Sequence, residues 1–182
     1  MTTRAGLEWL RPELDRCRAL IAERKSPRRW TKSHQGRSEL VTETDLAVEE
    51  LLIDAIRERV PDAAILSEES NPDRAALDQE TCFVIDPIDG TEEFAAGRTG
   101  FGISIALFER GRPAAAMLDM PAHDRRFESS AGGGARLNGK EIQLSQAKSL
   151  DEARLAVSAT QHRMDSLRPF WDGVGAAALI PT

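Results

Sequence analysis

The sequence predicts an α/β layered sandwich, with two helices packed on a largely antiparallel sheet and a second α/β part after it. Three observations carry this expectation. Apolar residues recur at three-four spacing in two early segments, the mark of amphipathic helices. Short apolar bursts bounded by turn residues follow, the mark of buried strands. Two of the later bursts are joined by a tight Gly-containing turn, which antiparallel neighbours can use and parallel ones cannot.

Between Leu7 and Lys25, the residues Leu7, Leu10, Leu14, Cys17, Leu20 and Ile21 fall on one helical face, and Pro27 stops the helix. Trp30 to Leu40 is polar and contains Gly36, so it reads as a loop. Val41-Thr42-Glu43-Thr44-Asp45 opens a second helix, with Thr42 or Thr44 as its cap and acids where the helix dipole favours them. Leu46, Val48, Leu52, Ile53, Ile56 and Val60 supply its apolar face, and Pro61 ends it. Ala63 to Leu66 and Cys82 to Ile85 read as buried strands, each running into acidic residues. Asn71 to Glu80 between them reads as a turn or short helix. Phe101 to Phe108 and Ala114 to Asp119 form a hairpin across Glu109 to Pro113. Asp124 to Ser130 is a further strand, and Asn138-Gly139 is a two-residue turn. Leu155 to Ser158 is the last strand, and a helix starts near Gly175. The polar connector Ser145 to Ala153 divides an N-terminal domain, 1–148, from a C-terminal part, 149–182.

The chain of 182 residues holds 30 acids against 24 bases, a formal charge of −6. That balance argues against a nucleic-acid polymer as partner, which calls for a basic face. It suits a cation. With 41% hydrophobic residues the chain has enough apolar area for a core, which excludes disorder. No apolar run approaches the roughly 20 residues that cross a bilayer. The start, Met1 to Gly6, lacks the layout of a secretory signal. Cys17 and Cys82 read as buried thiols in a reducing, cytoplasmic setting. His34, His123 and His162 have no ligand spacing, and Gly132-Gly133-Gly134 lacks the strand-then-helix context of a dinucleotide loop.

The chemistry lies in acids at strand ends. Glu68 and Glu69 follow one apolar run, and Asp86 and Asp89 follow another. If the two strands are neighbours, four carboxylates gather at one edge and repel unless a cation neutralises them. Oxygen ligands without His or Cys suit Mg²⁺ rather than zinc. The Ile88 carbonyl lies between Asp86 and Asp89 as a further oxygen. Gly90 allows close backbone approach, and Thr91 supplies a hydroxyl. A helix beginning at Thr91 would add amides for a phosphate. Metal, phosphate seat and hydroxyl within six residues, 86–91, make phosphoryl transfer coherent.

Asp86-Pro87-Ile88-Asp89-Gly90-Thr91 resembles the signature of the inositol monophosphatase family of Mg²⁺-dependent, Li⁺-sensitive phosphatases. Three other segments resemble that family in the same order. Leu40-Val41-Thr42-Glu43-Thr44-Asp45 is similar to its (D/E)-x-V-T-x-x-D helix opening. Leu66-Ser67-Glu68-Glu69-Ser70 is similar to its G-E-E-S, with Ser67 in place of Gly. Gly132 to Gly139 is similar to its G-x-G-A-x-x-N-G hairpin. The resemblance implies the sugar-phosphatase type of sandwich and a set of roles. Glu68, Asp86 and the Ile88 carbonyl would hold a first metal. Asp86 and Asp89 would share a second, with Glu69 just beyond the direct ligands. Asp45 and Thr91 would orient the attacking water, and the Gly90 and Thr91 amides would bind phosphate. The reaction implied is in-line attack of a metal-activated water on a small phosphomonoester.

The family pattern continues past Thr182 to a W-D-x-A-A-G motif, so the resemblance implies a truncated C-terminal domain. Trp171-Asp172 superficially resembles that motif. Gly173-Val174-Gly175-Ala176-Ala177-Ala178-Leu179 is more similar to an earlier helix start, whose Gly175, Ala176 and Ala177 would line the substrate pocket. Glu92-Glu93-Phe94 shares its Glu-Phe with the 3′(2′),5′-bisphosphate nucleotidases of the family, whereas Phe101 to Ile105 resembles the inositol-1-monophosphatases. The expectation leans to the nucleotidase, with inositol-1-monophosphatase and histidinol-phosphate phosphatase as alternatives. A catalytically silent metal- or phosphate-binding fragment is the alternative from another class. The family is often dimeric, which implies a homodimer, and the lack of a membrane-crossing apolar run leaves no membrane partner expected.

Overall fold

A computed structural model describes residues 6–24, 27–34, 37–70, 74–149, 152–157 and 178–181. The chain divides into two compact units, Met1–Ile142 and Gln143–Thr182.

The first unit opens with a short 3-10 turn, Glu8–Leu10, that runs into helix α1, Arg11–Glu23. Pro12 sits in the first turn of α1, where a missing N–H costs nothing. Leu14, Cys17 and Ile21 turn inward as the spacing predicts. The segment read as a loop is instead a hairpin of β1, Arg29–His34, and β2, Arg37–Thr42, paired antiparallel with Trp30 opposite Val41 and Lys32 opposite Glu39. Its strands escape an apolar-pattern reading because they carry few apolar residues. Trp30 is 43% exposed, and Lys32 turns to acidic partners rather than to a core.

Helix α2, Glu43–Arg59, begins with a capping box. Thr42 accepts from the Asp45 backbone, and the Asp45 carboxylate accepts in return from the Thr42 N–H at 2.9 Å and from its hydroxyl. The buried residues of α2 are Thr44, Asp45, Val48, Glu49, Leu52 and Ile56, so two acids share the face expected to be apolar. Leu46, expected on that face, is 41% exposed, because one residue step carries it about 100° around the helix from Asp45 and off the inward stripe.

The central sheet has seven strands. They are β3 (Ala64–Ser67), β4 (Thr81–Asp89), β5 (Gly102–Glu109), β6 (Arg112–Met120), β7 (Arg125–Ser130), β8 (Gly134–Leu137) and β9 (Lys140–Ile142), side by side in that order. All neighbours are antiparallel except β3 and β4. The expected sandwich of helices on a mostly antiparallel sheet is therefore present. The 3-10 turn Arg74–Asp78 connects β3 to β4, and the short helix α3, Thr91–Ala95, follows β4. Asn138 and Gly139 both have positive φ (50° and 77°), the conformation a two-residue hairpin demands, and they join β8 to β9 as expected.

One core joins these layers. Leu10, Leu14 and Cys17 of the first helical segment and Val48, Leu52 and Ile56 of α2 pack on Phe83, Ile85, Ile103, Ile105, Leu107 and Met117 of the sheet. Both cysteines are free and buried, as expected. Among the described residues no helix is long and apolar enough to cross a membrane.

A buried ion network fastens α1 to the sheet. Asp119 on β6 has no exposed surface and accepts from Arg18 (2.8 and 2.9 Å) and from Arg126 on β7 (2.7 Å). Those arginines reach on to Asp124 (2.6 Å) and Asp15 (2.7 Å). Asp119→Ala would strand two guanidinium groups without their shared partner. The expected loss is about 3 kcal/mol of unfolding free energy, read from urea denaturation; a loss below about 0.5 kcal/mol would show the network to be ornamental.

In the second unit, β10 (Arg154–Val157) pairs in parallel with β11 (Ala178–Pro181). A helix beginning near Gly175 therefore cannot run through Ala178 to Pro181. The short apolar run Ala178-Leu179-Ile180 finds a strand partner in Arg154 to Ala156 and extends beside it.

Candidate active site

The acidic segments meet because β3 and β4 are parallel neighbours. Ser67 lies opposite Ile85, and the Glu68 N–H donates to the Ile85 carbonyl at 3.2 Å, which carries the ladder one residue past the strand end. Glu68 thus emerges beside Asp86. Strand β4 continues, but its pairing slips. Asp86 lies opposite Ser104 and Asp89 opposite Gly102, so three steps on β4 match two on β5. This one-residue bulge sends Asp86 and Asp89 to the same face of the sheet.

Asp86 is the most perturbed acid of the group. One carboxylate oxygen, Oδ1, is buried without a hydrogen-bond partner. Burial first, then the charges of Glu68 and Asp89 and a hydrogen bond shared with Glu68, hold its carboxyl well above the usual range. Glu68 and Asp89 stand exposed at the rim. Glu69 is engaged elsewhere, since it accepts from Lys32 Nζ at 2.8 Å while burial pushes its own carboxyl up. Among the described residues no three acids, histidines or cysteines converge into a finished cage. The converged part is the Glu68–Asp86 pair. Like charges without a cation between them have no reason to close further.

After the bulge the chain turns sharply. Gly90 has φ of 88°, and a Cβ there would lie 2.7 Å from the Gly100 carbonyl, so only glycine fits. Phe94 on α3 packs on Phe101 at 5.2 Å between ring centres, which ties the far side of this turn to β5. Thr91, the first residue of α3, places its hydroxyl 3.0 Å from both the Asp45 carboxylate Oδ1 and the Ile88 carbonyl. The Asp45 carboxylate is buried, which raises its pKa, while hydrogen bonds from Thr42 and Thr91 oppose the shift.

Of the residues singled out in the sequence, Asp45, Glu68, Asp86, Ile88, Asp89, Gly90 and Thr91 gather at one end of β3 and β4. Glu69 sits just behind them. Gly175, Ala176 and Ala177, and Asp172 as well, lie outside the described residues. Two residues near the site were missed. Lys32 on β1 donates to the Glu68 carbonyl at 3.1 Å as well as to Glu69. Glu49 on α2 accepts from Ser67 and Ser70, on either side of the two glutamates. For Lys32 no local signal exists, because its strand carries little apolar alternation. For Glu49 the signal was the spacing of four from Asp45.

A model of the inositol monophosphatase family matches residues 7–172. The chain belongs to that family. Within it, the Nus factor SuhB of Escherichia coli K12 is 37% identical over 138 residues, 75% of this chain and 51% of that protein. The inositol monophosphatase of Dictyostelium discoideum is 38% identical over 133 residues, 72% of this chain and 49% of that one. The chain spans about half the length of these curated relatives. The solved IMPase of Thermotoga maritima superposes with a TM-score of 0.78 at 24% identity, covering 96% of this chain and 67% of that one, a likeness of fold. Membership in the inositol monophosphatase family agrees with the layered architecture and with the order of the four sequence segments.

Proposed function

We propose that this site serves the Mg²⁺-dependent hydrolysis of a small phosphomonoester. The observation that carries the reading is the orphaned Oδ1 of Asp86, buried beside Glu68 and facing the same way as Asp89. An unpaired buried polar atom costs about 1–3 kcal/mol, and like charges add to that. A hard divalent cation removes both costs at once, and a donor set of carboxylates and a carbonyl fits Mg²⁺ better than a softer metal. Glu68, Asp86, Asp89 and the Ile88 carbonyl would hold it, with Glu69 just outside. When bound, such a metal supplies Lewis acidity, which lowers the pKa of a water and neutralises a leaving oxygen.

The rest falls to the chain's own groups. The Thr91 hydroxyl has one proton and two acceptors in reach, Asp45 and the Ile88 carbonyl. The charged acceptor is the stronger. With its proton on Asp45, Thr91 keeps a lone pair to receive a hydrogen from the attacking water. Asp45, fixed by the capping box, cannot turn away. The Gly90 and Thr91 amides would receive phosphate oxygens. Since α3 spans only five residues, the amides matter more than its dipole.

For the leaving group, Glu93-Phe94 favours a 3′(2′),5′-bisphosphate nucleotide, whereas the names of the relatives favour inositol monophosphate. Phosphate release from adenosine 3′,5′-bisphosphate, inositol 1-phosphate and histidinol phosphate, with and without Mg²⁺, tests both. The expected result is Mg²⁺-dependent release, suppressed by Li⁺, fastest with the bisphosphate. A faster inositol phosphate reverses the substrate reading. Silence on all three, in a folded sample that takes up Mg²⁺, overturns the phosphatase reading in favour of a silent binding fragment.

A further inference from the structure

A buried acid outside the predicted ligand set stands behind the glutamate pair. Glu49 lies four residues after Asp45 on the inner stripe of α2 and is 5% exposed. A single oxygen, Oε1, accepts from three donors at the end of β3: the Ser67 hydroxyl, the Ser70 N–H at 3.1 Å and the Ser70 hydroxyl at 3.0 Å. Ser67 is itself buried, and it stands where the family's pattern has Gly. One of the three donors therefore exists only because of that departure. Together the bonds bracket Glu68 and Glu69. Asp45, one turn earlier, reaches Thr91. One helix thus reaches both halves of the site.

We infer that Glu49 is a positioning residue for divalent-metal binding, holding the Ser67–Ser70 turn in the shape that keeps Glu68 beside Asp86. The inference rests on the metal site proposed above. Its physical basis is that Glu68 and Asp86 repel each other once both are ionised, as metal ligands must be. A turn free to move would let them part, and reassembly would then be drawn from the binding energy of the cation. Glu49 opposes this by accepting hydrogen bonds and not by its charge, because all three donors converge on one oxygen. A glutamine can place its carbonyl there and do the same.

Two measurements test it on the whole chain: Mg²⁺ titration calorimetry, and hydrogen exchange of the Ser70 amide in chelator. The variants are Glu49→Ala, Glu49→Gln and the double change Ser67→Ala with Ser70→Ala. Glu49→Ala is expected to weaken Mg²⁺ binding by about tenfold or more, as loss of a group that orients metal ligands does, and to speed Ser70 exchange without metal. Glu49→Gln is expected to stay within about threefold of wild type on both readouts. The double serine change, which keeps the Glu49 side chain and leaves it only the Ser70 N–H, is expected to weaken binding in the same direction. Combined with Glu49→Ala it adds nothing further, as partners in one interaction do not. A wild type that binds Mg²⁺ while both Glu49→Ala and the double serine change match it overturns this inference alone. So does Glu49→Gln as weak as Glu49→Ala, since charge would then be the cause. A wild type that binds no Mg²⁺ overturns the metal site as well. Should Glu49→Ala fail to fold, the double serine change decides by itself.

Discussion

Asp86→Asn is expected to abolish Mg²⁺ binding and to make the metal-free chain more heat-stable, by about 2–4 °C for a gain of about 1 kcal/mol in a chain of this length. The two effects share one origin. In the folded chain the Asp86 carboxyl is half-buried, lacks a partner for its buried Oδ1, and faces Glu68 and Asp89, with Glu69 behind them. Its pKa is raised, so ionising it costs folding energy. The contribution it makes to stability is complete below the ordinary carboxylate value of about 4 and drains away as pH rises through the raised one. Asparagine has no proton to lose. The gap between variant and wild type should therefore open from about pH 4 upward and be small below it. Mg²⁺ reverses the ranking, because it stabilises only the form it binds. Thermal melts across pH, first in chelator and then with Mg²⁺, read both halves. An Asn variant that Mg²⁺ stabilises as much as wild type would remove Asp86 from the site.

Asp45→Asn is expected to cost about 10²–10⁴ in turnover, the usual worth of a positioned proton acceptor, while Mg²⁺ affinity stays within a few-fold. The three donors to the Asp45 carboxylate constrain the amide that replaces it. Its oxygen must stay with the Thr42 N–H and hydroxyl, because those donors are buried and one is the helix cap. The NH₂ then faces Thr91 and donates where the carboxylate accepted. The Thr91 hydroxyl turns its proton to the Ile88 carbonyl, already 3.0 Å away, and one of its two lone pairs is taken by the new NH₂, so the other no longer points where the carboxylate had aimed it at the water. Fold and cap survive and the water loses its guide. Phosphate release at saturating Mg²⁺, beside calorimetric Mg²⁺ titration, separates the two effects. Near-normal turnover would show that Thr91 needs no acceptor behind it.

The acids at the site were legible in the sequence because each follows an apolar run, and a run that ends in charge marks the edge of a sheet. Thr42 and Asp45 were legible because caps leave a local signature. What escaped was structure stabilised by polar contacts. The β1–β2 hairpin has too little apolar alternation to betray strands, since Lys32 points at Glu69 and Glu68 rather than at a core. Glu49 hides within a helix whose other inward residues are mostly apolar, and an acid there reads as a solvated face until the serines opposite it are known. Leu46 misled in the reverse sense, an apolar residue whose place in the helical turn lies off the inward stripe. The strand Ala178–Pro181 depends on a partner some twenty positions earlier, which no local pattern could reveal.

The slip in β4 accounts for the spelling of the motif itself. A flat ribbon alternates its side chains, so residues an odd number of places apart point in opposite directions. Aspartates at 86 and 89 would stand back to back on such a ribbon. The extra residue changes the parity, and Ser104 and Gly102 across from them record the correction. The two intervening letters in Asp-x-x-Asp are thus the written trace of a kink, where an unkinked strand would have to spell the same pair with one.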